Sequence, residues 1–386
     1  MSPRRRRTPP ANKRARPGRG ARRAPGRKAR AKGASPPPPC HTVEVTVPRG
    51  LEAVAAEEVR ERFGARARLH AVAPPGAVVF DFTGDLREVL ELRTVLAAYL
   101  LRRYDVPRPR ALLGHQHFHA LLAQIETARR LMPPGTYRLL AISAAGAHTP
   151  VMERLKDELA AATGLVVASH EGDLQIRLRR PADGGPGWDV LVRLSPRPLS
   201  ARPWRVCDFE GALNAAIAAA MVRLTRPRPD DAFFNPACGS GTLLVERLAW
   251  GPARRALGCD TDPEALACAR QNVAAAGFEG KVELHPWDAR ATPLPDRSVD
   301  AVCADLPFGH RVGSHEENVE LYPAILAEAA RVARPGARGA FITHEVRLMS
   351  ALLEEHPGWR LRDVIRVTQG GLHPRIFVVE RRAPRK

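Results

Sequence analysis

No stretch of this chain approaches the ~18 consecutive apolar residues of a membrane-spanning helix, so a soluble protein without a membrane partner is expected. Cysteine is scarce: Cys40, Cys207, Cys238, Cys259, Cys268 and Cys303 are all there are. None forms a C-x-x-C pair, and several fall inside predicted strands or a glycine turn. They read as small buried residues in a reducing compartment, with neither a disulfide framework nor a zinc site. The first 40 residues contain no Asp or Glu against 14 Lys and Arg, and so hold most of the formal charge of +19. That Arg-, Pro- and Gly-rich tail, 1–40, has little to bury and is expected to be disordered. It lacks the apolar centre of a secretory signal and the serine content of a transit peptide, which leaves a cytoplasmic location as the expectation. It suits a phosphate-neutralising arm whose binding would weaken with salt. A solubilising extension or a misplaced start codon fits it equally.

What is present is globular. Hydrophobic residues make up 44% of the 386, enough for more than one core, and the length predicts two to three domains. Residues 41–47 alternate as a strand, and a helix follows with Leu51, Val54, Ala55, Val59 and Phe63 on one face and Gly64 as its stop. Strands are predicted at 66–72 and 77–82 and a helix at about 86–102, completing a small α/β module. The helical stretch 111–131 carries His115, His117 and His119. His115 and His119 share a face, but no carboxylate or cysteine accompanies them, so no metal site is expected. A strand (136–143), a helix (149–164) and three strands (165–169, 173–180 and 188–195) follow. Alternation predicts Arg177, Arg179 and Arg193 on the face opposite Ile176, Leu178 and Val192. With Arg138, Arg180 and Arg197 they make a cationic surface suited to a phosphate backbone, although a charge run also fits a plain solvated face.

Residues 198–210 read as a joint, and the helix 211–226 leads into the stretch FFNPACGSGT at 233–242. Two aromatics at a strand end, a Gly-x-Gly turn and a helix start make a cradle in which backbone N–H groups point at a polar ligand. Asn235, Ala237, Gly239, Gly241 and Thr242 are its candidate contacts. Strands and helices then alternate, which predicts a mostly parallel, doubly wound sheet with its ligand at the strands' carboxyl ends. Asp260 lies about 20 residues past the turn, where a carboxylate grips ribose hydroxyls. Asp262 reads as a helix cap before Pro263, and Asp288 can accept a hydrogen bond from an adenine amino group. Strand ends also carry Asp merely as turn formers, but three in succession behind this turn point to a nucleoside. No phosphate-binding lysine follows the turn, so a ligand without phosphates fits better than ATP.

The segment Asp305-Leu306-Pro307-Phe308-Gly309 closes the fourth strand of this half. An exocyclic amine is a poor nucleophile because its lone pair is delocalised into the ring. The Asp305 carboxylate and the Leu306 carbonyl can accept its two N–H bonds and turn the lone pair outward. Pro307 stiffens the loop, and Phe308 offers a stacking face to an extruded base. Catalysis would then be mainly positioning, with Asp305 able to take up the proton that is lost.

DLPFG is similar to the D/N-P-P-Y/F/W loop of S-adenosylmethionine-dependent amino-group methyltransferases, and NPACGSGT resembles their D-P-x-C-G-S-G-T motif. The longer run DLPFGHRVGSHEENVELYP resembles the THUMP-containing N2-guanine methyltransferases, nearest to the branch acting on guanosine 6 of the tRNA acceptor stem. The order of elements over roughly 41–200 resembles the N-terminal ferredoxin-like and THUMP domains of such enzymes. The resemblance implies a ferredoxin-like domain at 41–110, a THUMP domain at 111–200 and a seven-stranded class I methyltransferase at 201–386, its last strand antiparallel. It implies S-adenosylmethionine as cofactor, with Asp305 also near it, and tRNA as partner of a monomer. Arg311 joins Arg138, Arg177, Arg179 and Arg193 as an RNA contact. Ribosomal or small nuclear RNA guanine, or an adenine N6, are alternative targets; an RNA-binding protein with a degenerate methyltransferase fold is the non-enzymatic one. Two positions depart from the pattern. Asn235 replaces the usual first acid and weakens a charged contact to the methionine ammonium, and Leu306 replaces a proline of which only the carbonyl is needed.

Overall fold

The computed structural model describes residues 39–144, 149–169, 171–307, 315–368 and 371–383. The basic segment 1–38 and two candidate site residues, Phe308 and Arg311, lie outside the described residues.

The first half contains β1 (Cys40–Thr46), α1 (Glu52–Phe63), β2 (Ala67–Leu69), β3 (Ala77–Thr83), α2 (Leu86–Val89) and β4 (Ala97–Tyr104). It continues with α3 (His115–Arg129), β5 (Leu139–Ala144), α4 (Pro150–Thr163), β6 (Val166–Val167), β7 (Leu174–Arg179) and β8 (Trp188–Arg193). All eight strands form one sheet in the order β2-β3-β1-β4-β8-β7-β5-β6. The antiparallel ladder from Tyr99↔Arg193 to Tyr104↔Trp188 joins strands from either side of residue 110. One apolar core, with Val43, Val59, Phe80, Ile125, Leu155 and Ile176, lies between this sheet and α1, α3 and α4.

The helix expected at 86–102 is corrected: α2 is a single turn, and residues 97–104 are a strand. The run AAYL is buried on both sides of β4, between β1 and β8. A strand covered on both faces has no alternation to betray it, so its apolar run imitates a buried helix.

The second half contains α5 (Ala215–Leu224), β9 (Ala232–Pro236), α6 (Thr242–Trp250), β10 (Arg255–Cys259), α7 (Pro263–Ala275) and β11 (Glu283–His285). It ends with β12 (Val299–Asp305), α8 (His315–Val332), β13 (Ala333–Thr343), α9 (Val346–Glu354), β14 (Trp359–Arg366) and β15 (Arg375–Arg381). The sheet order is β11-β10-β9-β12-β13-β15-β14. The pairs among β9 to β13 are parallel, and β15 runs antiparallel to both its neighbours. The mixed α/β architecture and the antiparallel last strand are as expected. Phe234, Leu257, Phe341 and Trp359 pack on one face against α8 and α9; Phe233, Ile342 and Ile376 pack on the other against α5 and α6. Helix α1 serves two cores, with Ala55 and Val59 in the first half and Val54 in the second.

Cys207 and Cys268 are joined by a disulfide, with Cα atoms 5.4 Å apart, which corrects the expectation that no disulfide forms. They are 61 residues apart in sequence, a spacing that carries no signal. Cys238, Cys259 and Cys303 are free and buried, as read; burial raises their thiols, that of Cys259 to about 12.

Glu246 on α6 is fully buried between two arginines. Its Oε2 accepts from Arg93 Nε at 2.8 Å and its Oε1 from Arg202 Nε at 2.9 Å. Arg202 also donates to the Arg93 and Leu199 carbonyls, both at 2.7 Å. Removing one member of such a group strands charge away from water. Glu246→Ala is therefore expected to cost about 3–5 kcal/mol, read by denaturant unfolding; a loss under about 1 kcal/mol would show that solvent reaches the arginines.

Candidate active site

At the carboxyl ends of β9, β10 and β12 lies a cavity of about 680 Å³. Asn235, Ala237, Gly239, Thr242, Asp260, Asp288, Asp305, Leu306 and Pro307 all line it. These are candidate residues scattered over some seventy positions of sequence. The parallel sheet brings them together because each sits where a strand stops and the chain turns toward its crossover helix.

The glycine turn alternates in hand. Ala237, Gly239 and Gly241 have φ of 52°, 51° and 78°, so every second residue occupies the left-handed region. For Ala237 this is a strained conformation, of order 1 kcal/mol. At Gly241 a Cβ would also sit 3.2 Å from that of Ala269. Gly241 is the N-cap of α6 and supplies no side-chain cap, leaving the first-turn N–H groups without one. The turn is fastened from below: Cys238 N–H donates to the Cys259 carbonyl at 2.8 Å, and Gly239 N–H donates to Asp260 Oδ2, also at 2.8 Å. Asp260 Oδ1 accepts from the Asp262 N–H at 3.1 Å. A carboxylate has about four acceptor positions, so Asp260 can brace the turn and still receive hydroxyl groups. Asp262 caps α7 through the Glu264 N–H, as read.

Asp288 lies three residues beyond β11, whose strand is shorter than expected. Arg290 clasps its carboxylate, Nε to Oδ1 at 3.0 Å and Nη2 to Oδ2 at 2.6 Å, and this hydrogen bonding holds its carboxyl below the usual range. Asn235 is buried and donates from Nδ2 to the Cys303 carbonyl at 2.8 Å and the Pro236 carbonyl at 3.2 Å. No described group meets its Oδ1. An aspartate could not donate these bonds, which gives the amide a local reason at this position.

Asp305 is the last residue of β12, and its Oδ1 is buried with no described hydrogen-bond partner. Burial alone raises its carboxyl to about 8. The following loop is pinned from outside the cavity. Leu306 N–H donates to the Ile342 carbonyl at 3.0 Å, and the Pro307 carbonyl accepts from Asn318 Nδ2 at 3.1 Å and from the Tyr322 hydroxyl. Thr343 Oγ1 lies 2.6 Å from that hydroxyl and accepts the Glu345 N–H at 2.9 Å. A chain of hydrogen bonds thus orients the loop while engaging neither the Asp305 carboxyl nor the Leu306 carbonyl.

Several lining groups escaped sequence reasoning, among them four from distant connections. Phe209 and Glu210 come from the joint between the halves, and His344 and Leu372 from the ends of β13 and the β14–β15 connection. A Pro- and Arg-containing joint gave no sign that it would fold over a cavity. Trp287 also lines it, stacked on His285 at 3.8 Å between ring centroids. Glu210, Asp260, Asp262, Asp288 and Asp305 all face the cavity, and among the described residues lining it there is no Lys or Arg. Such a site repels phosphate and favours a cation with apolar parts.

The RNA-contact candidates separate. Arg138 and Arg177 are exposed, with the Arg177 guanidinium 4.6 Å over the Tyr99 ring. Arg179 is half-buried and clasps Glu44 with both Nη groups. Arg193 is corrected: it is buried, donating to the carbonyls of Ser195 at 2.8 Å, Gly172 at 2.9 Å and Pro196 at 2.6 Å. It looked exposed because alternation places it opposite the main core, but that side of β8 is also covered. His115 and His119 meet edge-on with ring centroids 4.3 Å apart, and the described residues contain no group of three metal-ligating side chains. No described helix is long and apolar enough to cross a membrane.

Because the folded-state pKa of Asp305 exceeds its unfolded value, the native state holds a proton that the unfolded chain has lost between roughly pH 4 and 8. This group therefore makes stability fall as pH rises through that window. Asp305→Asn removes the titration, so its thermal midpoint should gain on the parent's as pH is raised from roughly 5 to 8.5. A difference independent of pH would contradict the burial argument.

Residues 202–375 match the UPF0020 family, an RMKL-like methyltransferase domain. The tRNA (guanine(6)-N(2))-methyltransferase THUMP3 of Mus musculus is 32% identical over 210 residues, covering 50% of this chain and 41% of the relative. The tRNA (guanine(6)-N2)-methyltransferase of Thermus thermophilus is 35% identical over 191 residues, covering 49% and 56%. The chain thus spans about half the length of these curated relatives. The crystal structure of TrmN from Thermus thermophilus superposes with a TM-score of 0.69 at 28% identity, covering 88% of this chain and 99% of that one.

Proposed function

We propose, starting from the match of residues 202–375 to the UPF0020 methyltransferase domain, that the chain methylates the exocyclic N2 of guanosine in tRNA, at position 6 of the acceptor stem, using S-adenosylmethionine. The observation that carries this reading is Asp305: a half-buried carboxyl whose Oδ1 is buried and meets no described partner, beside a backbone carbonyl, at the edge of an acid-lined cavity behind a glycine turn. With it go a ferredoxin-like module at 41–110, a THUMP module at 111–200 and the catalytic domain at 201–386. The substrate assignment is supported by the two relatives, each a tRNA (guanine(6)-N2)-methyltransferase by name.

The cavity suits this cofactor on its own chemistry. S-adenosylmethionine, when bound, supplies an electrophilic methyl on a sulfonium centre and carries a net positive charge. Asp260 would receive the ribose hydroxyls while still bracing Gly239. Asn235 Oδ1 offers an acceptor to the methionine ammonium, and Glu210 adds the negative charge that an acid at 235 would bring. Asp288, clasped by Arg290, keeps acceptor capacity for the adenine amino group.

Asp305 and the Leu306 carbonyl would accept the two N–H bonds of the guanine amine. That aligns the nitrogen lone pair with the cavity, and alignment supplies most of the rate. A carboxyl with a pKa of about 8 is a competent proton acceptor near neutrality. A cation in the cavity favours its ionised form, so cofactor binding should tighten as pH rises toward 8. Pinning of the Pro307 carbonyl by Asn318 and Tyr322 keeps Asp305 and Leu306 in register.

Asp305→Asn should lower methyl transfer to unfractionated tRNA by at least about a thousandfold while S-adenosylmethionine still binds, now without the pH dependence. Nucleoside mass spectrometry of the treated RNA reads the product. Full activity in this variant would remove Asp305 from the mechanism, and a product other than N2-methylguanosine would reassign the substrate. Asp260→Ala should weaken cofactor binding about tenfold or more, since it removes both a hydroxyl acceptor and the brace on Gly239. Unchanged affinity by calorimetry would refute the ribose assignment.

A further inference from the structure

The cavity wall at residues 206–213 belongs to no strand or helix. It nevertheless sits at a fixed distance from the glycine turn, and one side chain of α7 spans the two. Asn272 is fully buried. Its Oδ1 accepts from the N–H groups of Val206 and Cys207, both at 3.0 Å. Its Nδ2 donates to the Cys207 carbonyl at 3.0 Å and to the Ser240 carbonyl at 3.1 Å. These four bonds use the full capacity of an amide, two acceptor and two donor positions. Three go to the wall and one to the turn, so a single planar group sets the gap between them.

Two further contacts hold the same wall. Cys207, bonded to Asn272 through both its N–H and its carbonyl, is also bridged to Cys268 one helical turn before Asn272. Arg205 Nη2 donates to the Leu213 carbonyl at 2.7 Å and to Thr242 Oγ1, in the first turn of α6, at 3.0 Å. Between these anchors the chain presents Phe209 and Glu210 to the cavity.

We propose that Asn272 is a positioning residue for cofactor binding: it docks the 206–213 wall against the glycine turn so that Phe209 and Glu210 close the cavity. The inference rests on the cofactor reading above. Aspartate has the same shape but no donors, so it would release the Cys207 and Ser240 carbonyls and place a charge where there is no water. The disulfide and the amide hold one residue in parallel, and so the amide carries more of the load once a dithiol has reduced the bridge.

The test uses the full chain, with Asn272→Ala and Asn272→Asp compared with the parent for S-adenosylmethionine affinity, kcat at saturating cofactor and thermal midpoint. Affinity should fall about tenfold or more in each variant, and further after dithiothreitol, while kcat at saturation stays within about threefold. Should Asn272→Ala not fold, Asn272→Asp retains both acceptor bonds and gives the same reading. Affinity within about twofold of the parent, with or without a lower midpoint, would make Asn272 a purely structural residue and overturn the inference. A folded parent that binds neither S-adenosylmethionine nor S-adenosylhomocysteine would overturn the cofactor reading itself, and the inference with it.

Discussion

Glu246, sealed from water between Arg93 and Arg202, is the contact on which the two halves of the described chain depend. It stands on α6, one turn beyond the residues that open that helix from the glycine turn. Arg93 lies just before β4, in the middle of the eight-stranded sheet, and Arg202 in the joint. A buried ion group adds little net stability compared with an apolar one, but it tolerates few geometries because each charge must keep its partners. The helix that shapes the cofactor end is thus registered to the sheet bearing the exposed Arg138 and Arg177. On the proposed function this registration matters, since an RNA held by one half would have to present its reactive atom to the other.

The site itself divides its polar groups into two kinds. Asp260, Asp288 and Asn235 line the cavity and are already engaged with the protein's own backbone or with Arg290. Asp305 is the opposite, its Oδ1 buried and left without a described partner. Proteins seldom tolerate such a group unless something else will satisfy it, so its isolation is itself a pointer to a substrate. The chain of bonds from Glu345 through Thr343 and Tyr322 to the Pro307 carbonyl spends its donors on the loop's outer side. The bonds that hold the loop therefore leave its proposed catalytic acceptors unused.

Much of this was legible in the residues. The glycine turn, the acids at Asp260 and Asp305 and the alternation of strands with helices are local features, and local chemistry accounts for them. Strand ends in a parallel sheet must converge on one edge, so reading the order of elements also placed the candidate site. Legibility failed where burial comes from both sides or from distant chain. The strand at 97–104 looked helical because it is covered on both faces, and Arg193 looked exposed because alternation marks which side a residue takes, not whether that side is wet. The Cys207–Cys268 bridge and the wall carrying Phe209 and Glu210 had no signature, since each depends on a joint folding back across a helix far along the chain.

By itself, then, the sequence determined most element types and the glycine turn, because these follow from backbone conformational limits and side-chain chemistry within a few residues. Only the tertiary structure decided which charges are spent. It committed Arg193 to carbonyls and Glu246 to two arginines, gave Asn235 a backbone role, and left Asp305 unmet. The reason is physical: the worth of a charge or an amide depends on its distance from water and from partners that sequence order does not bring near.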